Sequence, residues 1–167
     1  MYLIWYTANF LSEKMVNTML LTFFIIILVV IDQILKYAVT TNLRYAEDIT
    51  IIPNLLDITY VENRGAAFGI FQNQRWFFII FAVIMIIFFA YLIKYKNLND
   101  KMFLVAAALI ISGGIGNLID RLFWGYVVDY IKLSFFSPIC NFADYCITFG
   151  TIILIIYVIF FYKDIKI

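Results

Sequence analysis

Four stretches of the chain run without a charged residue for long enough to cross a bilayer, about 15–31, 76–93, 102–119 and 145–162. The last three hold 18 residues each. That is about 27 Å of helix at 1.5 Å per residue, close to a hydrocarbon core of about 30 Å. Backbone polar groups in lipid must bond within their own segment, so each stretch predicts a helix. With their polar ends included, the spans are expected over about 15–37, 76–93, 102–119 and 142–162, within one polytopic membrane domain covering 1–167.

Between the first two spans the pattern changes. "DITIIPNLLDITYVENRGAAFGIF" carries β-branched runs broken by Pro53-Asn54 and by Asn63-Arg64-Gly65. Those are strand and turn signals, and they predict a small β element over about 45–72. The expected fold is an integral membrane all-α bundle of four transmembrane helices, with a small extracytoplasmic β element between helices one and two.

Lysines set the expected orientation. Lys94, Lys96 and Lys101 crowd the connection "KYKNLNDK", and Lys163 and Lys166 lie in the tail. Positive loops stay inside, so both termini are expected in the cytoplasm and the connections 38–75 and 120–144 outside. No cleavage pattern of small residues follows the first span, so that span is expected to remain.

Composition agrees and removes alternatives. The chain is 65% hydrophobic and 14% charged, against about half and a quarter in soluble domains. A net charge of +1 gives no reason to expect a nucleic-acid partner. There is no histidine, which excludes His-ligated metal sites and Ser-His or Cys-His catalysis. Cys140 and Cys146 are too few for a disulfide framework and read as small apolar side chains.

Against this background the polar residues stand out. Asp32 and Lys36 are spaced i, i+4, and read either as a neutralised pair with the lysine snorkelling outward or as support for a site. Gly113, Gly116, Asn117 and Asp120 share one side of span three. Ser112 and Gly116 form a small-xxx-small pair that lets another helix come close. An ionisable group at mid-membrane depth costs at least about 2.5–3.5 kcal/mol on insertion scales, so several together predict a functional cluster. Asn141 and Asp144 read alone as an N-cap and an acidic N3 residue, but Asp144 shares its depth with Asp120 and Asp129. Two carboxylates in one low-dielectric site share a proton. One, ionised, can take a proton from water while the other, protonated, bonds a carbonyl under attack. Spacing alone leaves open which two of the three acids form the pair.

Five pieces, "DQILK" (32–36), "ENRGAAFGIF" (62–71), "GGIGNLIDR" (113–121), "VVDYI" (127–131) and "NFADYCI" (141–147), follow in order between the spans. In them the chain resembles the lipoprotein signal peptidases (signal peptidase II), intramembrane aspartyl peptidases of bacteria. The resemblance runs from residue 32 to about 150. It implies cleavage of prolipoproteins just before a diacylglyceryl-modified cysteine, in the bacterial cytoplasmic membrane near the outer leaflet. Membrane lipid would be a further partner, no cofactor or metal would be needed, and a monomer is expected. It implies Asp129 and Asp144 as the catalytic pair. Asp120 would support them, orienting Arg121 or a neighbouring helix end. Asn117, Arg121 and Asn141 would line the site, and Asn63 and Gly65 would bring the outer loop over the cleavage point. Asp32 and Lys36 would brace the site, and the outer sheet would act as a substrate cradle. Tyr130 stands where the family usually has Phe, and the stretch from Asp129 to Asp144 is shorter than usual, which implies a tighter connection before span four.

Three other readings make different demands. A proton-coupled carrier needs polar residues through the full membrane depth. A scaffold would tolerate Asp129→Asn. A Ser-Lys peptidase would need Ser112 and Lys36 together.

Overall fold

The computed structural model describes residues 2–65, 71–95 and 100–161. Lys96, Lys163 and Lys166, used in the orientation argument, lie outside the described residues. Among the described residues, four helices are long and apolar enough to span a membrane, over Thr18–Leu43, Arg75–Lys94, Lys101–Phe123 and Phe142–Phe161. The first lies within α1 (Tyr2–Leu43); the others are α2 (Arg75–Tyr95), α3 (Lys101–Phe123) and α4 (Phe142–Ile156), which continues as a π-helical turn, Tyr157–Phe161.

Local chemistry sets where these helices begin. Asp100 caps α3, its carboxylate accepting from the N–H groups of Met102 at 2.8 Å and Phe103 at 3.2 Å. Asn141 and Asp144 form a reciprocal capping box at the start of α4, which satisfies two of the N–H groups that a helix start leaves free.

Helix α3 is the centre of the bundle and packs against the other three. Over an apolar 18-residue stretch of α3, 56% of residues are buried, against 6% over the matching stretch of α1, whose apolar side chains face outward as lipid requires. The sequence explains the difference. Ala106, Ala107 and Ala108 are fully buried, and Gly113 presses so closely on the Ala143 carbonyl that any Cβ there would clash. Small residues let backbones meet where no hydrophobic force separates helix from lipid. At the end away from the sheet, Phe89, Phe103 and Tyr157 close the bundle in an aromatic cluster.

The β element is a four-stranded antiparallel sheet, β1 (Ile49–Ile52), β2 (Leu56–Asn63), β3 (Val127–Leu133) and β4 (Phe136–Cys140), in that spatial order. Pro53-Asn54 makes the β1–β2 turn, with Leu55 N–H bonded to the Ile52 carbonyl at 3.0 Å and Asn54 at φ 59°. The sequence placed the β element between the first two spans alone. Its other two strands come from the connection after α3, which the pattern did not reveal as strands. The first four residues of β3, Val127–Tyr130, are all buried, so the alternation that betrays a half-buried strand is missing. The connection before α4 is this β3–β4 hairpin. Val39 and Leu43 of α1 pack with Tyr126, Val128 and Tyr130, tying the sheet to the bundle. Residues 66–70 of the expected outer loop lie outside the described residues.

Candidate active site

Asp129 sits in β3, opposite Val61 of β2, and Asp144 in the first turn of α4. The sheet and the start of α4 thus bring together two acids that the sequence separates by a hairpin. Asp129 is 3% exposed. Its Oδ2 accepts from Asn63 Nδ2 at 2.8 Å and its Oδ1 from Asn141 Nδ2 at 2.6 Å. Asp144 Oδ1 accepts from Asn117 Nδ2 at 2.8 Å, and Oδ2 from the Asn141 backbone N–H at 3.1 Å. All four carboxylate oxygens therefore accept an N–H, and none of these donors carries charge.

The amides are themselves held. Asn63 Oδ1 accepts from Gly65 N–H at 2.9 Å, a local turn that aims the Asn63 NH₂ at Asp129. Asn141 Oδ1 accepts from Asp144 N–H at 2.9 Å. Asn141 is thus both the cap that the sequence suggested and a bridge between the two acids. Burial pushes the Asp129 carboxyl up to about 7, and the adjacent Asp144 charge adds to it. The Asn63 and Asn141 bonds and the Lys36 charge pull the other way without winning.

Asp120 lies elsewhere. Its Oδ2 is 3.0 Å from Lys36 Nζ and accepts from Val128 N–H at 3.1 Å. It makes no hydrogen bond to Arg121, and it holds the start of β3 rather than a helix end. Arg121 instead donates to the Asn117 carbonyl at 3.3 Å and the Gly65 carbonyl at 3.4 Å, with its guanidinium 4.6 Å from the centre of the Phe78 ring. Lys36 does not snorkel. It is 3% exposed, and its ammonium lies 2.9 Å from Asp32 Oδ2 and 2.8 Å from Asn117 Oδ1 as well. Ser112 turns its hydroxyl to the Leu109 carbonyl at 3.0 Å, so Ser112 and Lys36 do not form a nucleophile pair.

Sequence reasoning gave no role to two residues here. Gln33 Nε2 donates to Asp32 Oδ2 at 3.1 Å, to the Gly116 carbonyl at 3.2 Å and to Asp120 Oδ1 at 3.2 Å. An uncharged amide inside an apolar helix was the available signal. The Tyr130 hydroxyl accepts from Phe142 N–H at 3.2 Å, fixing the start of α4 to β3. A phenylalanine could not do that.

The pair opens on a cavity of about 810 Å³ between α2, α3 and α4, polar at the sheet end and walled below by residues such as Phe81, Met85, Ile110 and Leu154. A buried acid pair at the head of an apolar cleft can activate water beside an apolar chain. Among the described residues, the Phe89–Phe103–Tyr157 cluster closes the opposite half of the bundle, so the continuous polar path that a carrier needs is missing.

Residues 24–160 match the family model described as signal peptidase (SPase) II. Over 146 residues the chain is 43% identical to a protein of Clostridioides difficile (strain 630) named lipoprotein signal peptidase, covering 86% of this chain and 97% of that one. Over 133 residues it is 40% identical to the protein of that name from Halothermothrix orenii, covering 80% and 90%. A solved structure described as a bacterial membrane enzyme by the in meso method at 2.3 Å resolution superposes with a TM-score of 0.79 at 33% identity, over 88% of this chain and 93% of that one.

Proposed function

Because the chain belongs to the signal peptidase II family, membrane proteases that cleave prolipoprotein signal peptides, we propose that Asp129 and Asp144 are its catalytic pair and that they act without a covalent intermediate. The observation that carries this is the set of four N–H donors, one on each oxygen of two buried carboxylates. Such a frame holds two acids close together while leaving each a free lone pair for water. The pair carries one proton. The ionised member takes a proton from the water, whose oxygen attacks the scissile carbonyl, and the protonated member donates to that carbonyl oxygen. The tetrahedral centre then collapses. The C–N bond breaks, the amine leaves with the proton taken from water, and the pair recovers its own proton as the new carboxyl forms.

Around the pair, Asn63, Asn117 and Asn141 fix the carboxylate planes. Arg121 and Gly65 lie at the mouth of the cleft, where substrate carbonyls would pass. The apolar cavity suits a substrate whose cysteine already carries a diacylglyceryl group, since acyl chains lie in lipid at about 0.8 kcal/mol per buried CH₂. The sheet lies on the outer face of the cytoplasmic membrane as a substrate cradle, and both termini face the cytoplasm. Lys94 at the end of α2 and Lys101 at the start of α3 support that orientation.

The test is cleavage by the purified protein in detergent. A diacylglyceryl-modified prolipoprotein peptide is offered beside the same peptide without lipid. Cutting of the lipidated peptide alone is expected, with Asp129→Asn and Asp144→Asn folded but inactive. Equal cutting of both peptides would remove the lipid from the substrate definition. An active Asp129→Asn would remove that residue from the pair.

A further inference from the structure

Lys36 is buried, and its ammonium has three acceptors, Asp32 Oδ2, Asp120 Oδ2 and Asn117 Oδ1, at 2.9, 3.0 and 2.8 Å. An ammonium carries three protons, so each contact uses one. What those acceptors hold in turn gives the cluster its meaning. Asp32 Oδ1 accepts from the N–H of Ala143 at 3.0 Å, the residue before Asp144. Asp120 Oδ2 accepts from the N–H of Val128 at 3.1 Å, the residue before Asp129. One ammonium thus ties together the two carboxylates that fix the backbone immediately ahead of each member of the pair.

The third contact sets a direction. An ammonium only donates, so Lys36 requires an oxygen from Asn117 and turns the Asn117 NH₂ toward Asp144. Asn141 Nδ2, which bonds Asp129, also donates to that Asn117 oxygen, at 3.2 Å. Were Asn117 to turn over, its oxygen would face the Asp144 carboxylate and its NH₂ would face two donors.

We propose that Lys36 is the positioning residue of the carboxylate pair, fixing the spacing of Asp129 and Asp144 and the donor direction of the amides between them. This rests on the reading of those two acids as the reacting groups. Lys36 touches no reacting atom, and its effect falls on turnover rather than on substrate capture.

The obvious variant, Lys36→Met, strands two buried carboxylates and confuses folding with position. A charge-matched variant separates them. Two carboxylates and one ammonium sum to one negative charge, and Asp32→Asn combined with Lys36→Met leaves the same charge. The Asn oxygen can still accept from Ala143. Asp120→Asn with Lys36→Met is the second charge-matched form. Each is assayed in detergent for cleavage of the diacylglyceryl-modified peptide, beside thermal unfolding and the single variants Asp129→Asn, Asp144→Asn and Asp32→Asn.

Expected is a folded double variant with KM within about twofold of wild type and kcat lower by at least about 100-fold, as a misplacement near 1 Å produces. Asp32→Asn alone, in which Lys36 still holds Asp120 and Asn117, loses less than about tenfold. A folded double variant with wild-type kcat would overturn the proposal, reducing Lys36 to charge neutralisation. So would a change confined to KM. Failure of both double variants to fold would overturn it too, by making Lys36 a requirement of folding. Active Asp129→Asn and Asp144→Asn would instead overturn the catalytic pair, whatever Lys36 does.

Discussion

The bundle holds two carboxylate pairs side by side, and they are treated in opposite ways. Asp32 and Asp120 share a buried ammonium, and each also holds a backbone N–H. Asp129 and Asp144 are held by amide and backbone donors, and among the described residues no cation lies within ion-pair distance of either. The chemistry follows from that difference. The first pair is bound to a fixed counter-ion, the Lys36 ammonium. A pair without one must share a proton, and a shared proton is what acid–base catalysis uses. Arg121 respects the division. It stands near the acid pair, yet its guanidinium is spent on the Asn117 and Gly65 carbonyls and on Phe78.

The largest expected effect tests the uncompensated pair. Asp129→Asn or Asp144→Asn removes one titratable proton and little volume. Turnover of the lipidated peptide should fall roughly a thousandfold or more, with a cooperative unfolding transition retained. Next comes the compensated pair. Lys36→Met leaves two buried carboxylates without their cation and should cost about 3–5 kcal/mol of stability, read as a large drop in detergent Tm. The two variants should thus separate, one silent in activity but folded, the other failing first in stability. Equal stability loss in both would erase the distinction between the pairs.

The spans were legible because lipid tolerates so few sequences: charge-free runs of 18 residues have little other use. The β1–β2 turn was legible because Pro53-Asn54 has its own backbone preference. Strand β3 was not, since burial on both faces hides its period. The three acids were legible as a cluster, and it was the family resemblance, not their spacing, that divided them. Asp120 and Asp129 lie close in sequence and at a similar depth, and what separates them is a lysine 81 residues before Asn117 in the chain whose reach depends on how α1 packs on α3. Gln33 shows the same limit, since its bond to Asp120 spans 87 residues. The role of Tyr130 was hidden in the same way, since its hydroxyl meets the Phe142 N–H only once α4 packs on β3.

Two neighbouring glycines give a smaller, structural test. Gly113 faces the Ala143 carbonyl, one residue ahead of Asp144, while the nearest atom to a Cβ at Gly114 would be Ile86 Cγ1 at 4.0 Å. Gly113→Ala must push α4 away and should cost about 1–3 kcal/mol, with turnover falling because Asp144 moves with the helix. Gly114→Ala should gain about 0.5–1 kcal/mol from reduced backbone freedom and leave both pairs intact. Thermal unfolding and kcat on the two variants check this. A stable, fully active Gly113→Ala would mean that the approach of α3 and α4 does not set the site.

The pH dependence addresses the comparison most directly. Asp129 is raised from 3.8 to about 7, by burial first and by Asp144 second. Below about 7 the pair keeps its single proton; above it, that proton leaves. The kcat/KM for lipidated peptide should therefore fall on the alkaline side, about tenfold per pH unit. The break belongs to the coupled pair rather than to either residue alone. Stability has the same sign. The folded protein holds a proton that the unfolded chain releases above 3.8, so stability is highest at lower pH, declines as pH rises toward 7 and is flat beyond. Asp32→Asn, which leaves Lys36 bonded to Asp120, should keep the alkaline break where wild type has it. A break that moves with Asp32→Asn would show that the lysine does not divide the two pairs, and one lying below pH 5 would show that burial does not raise Asp129.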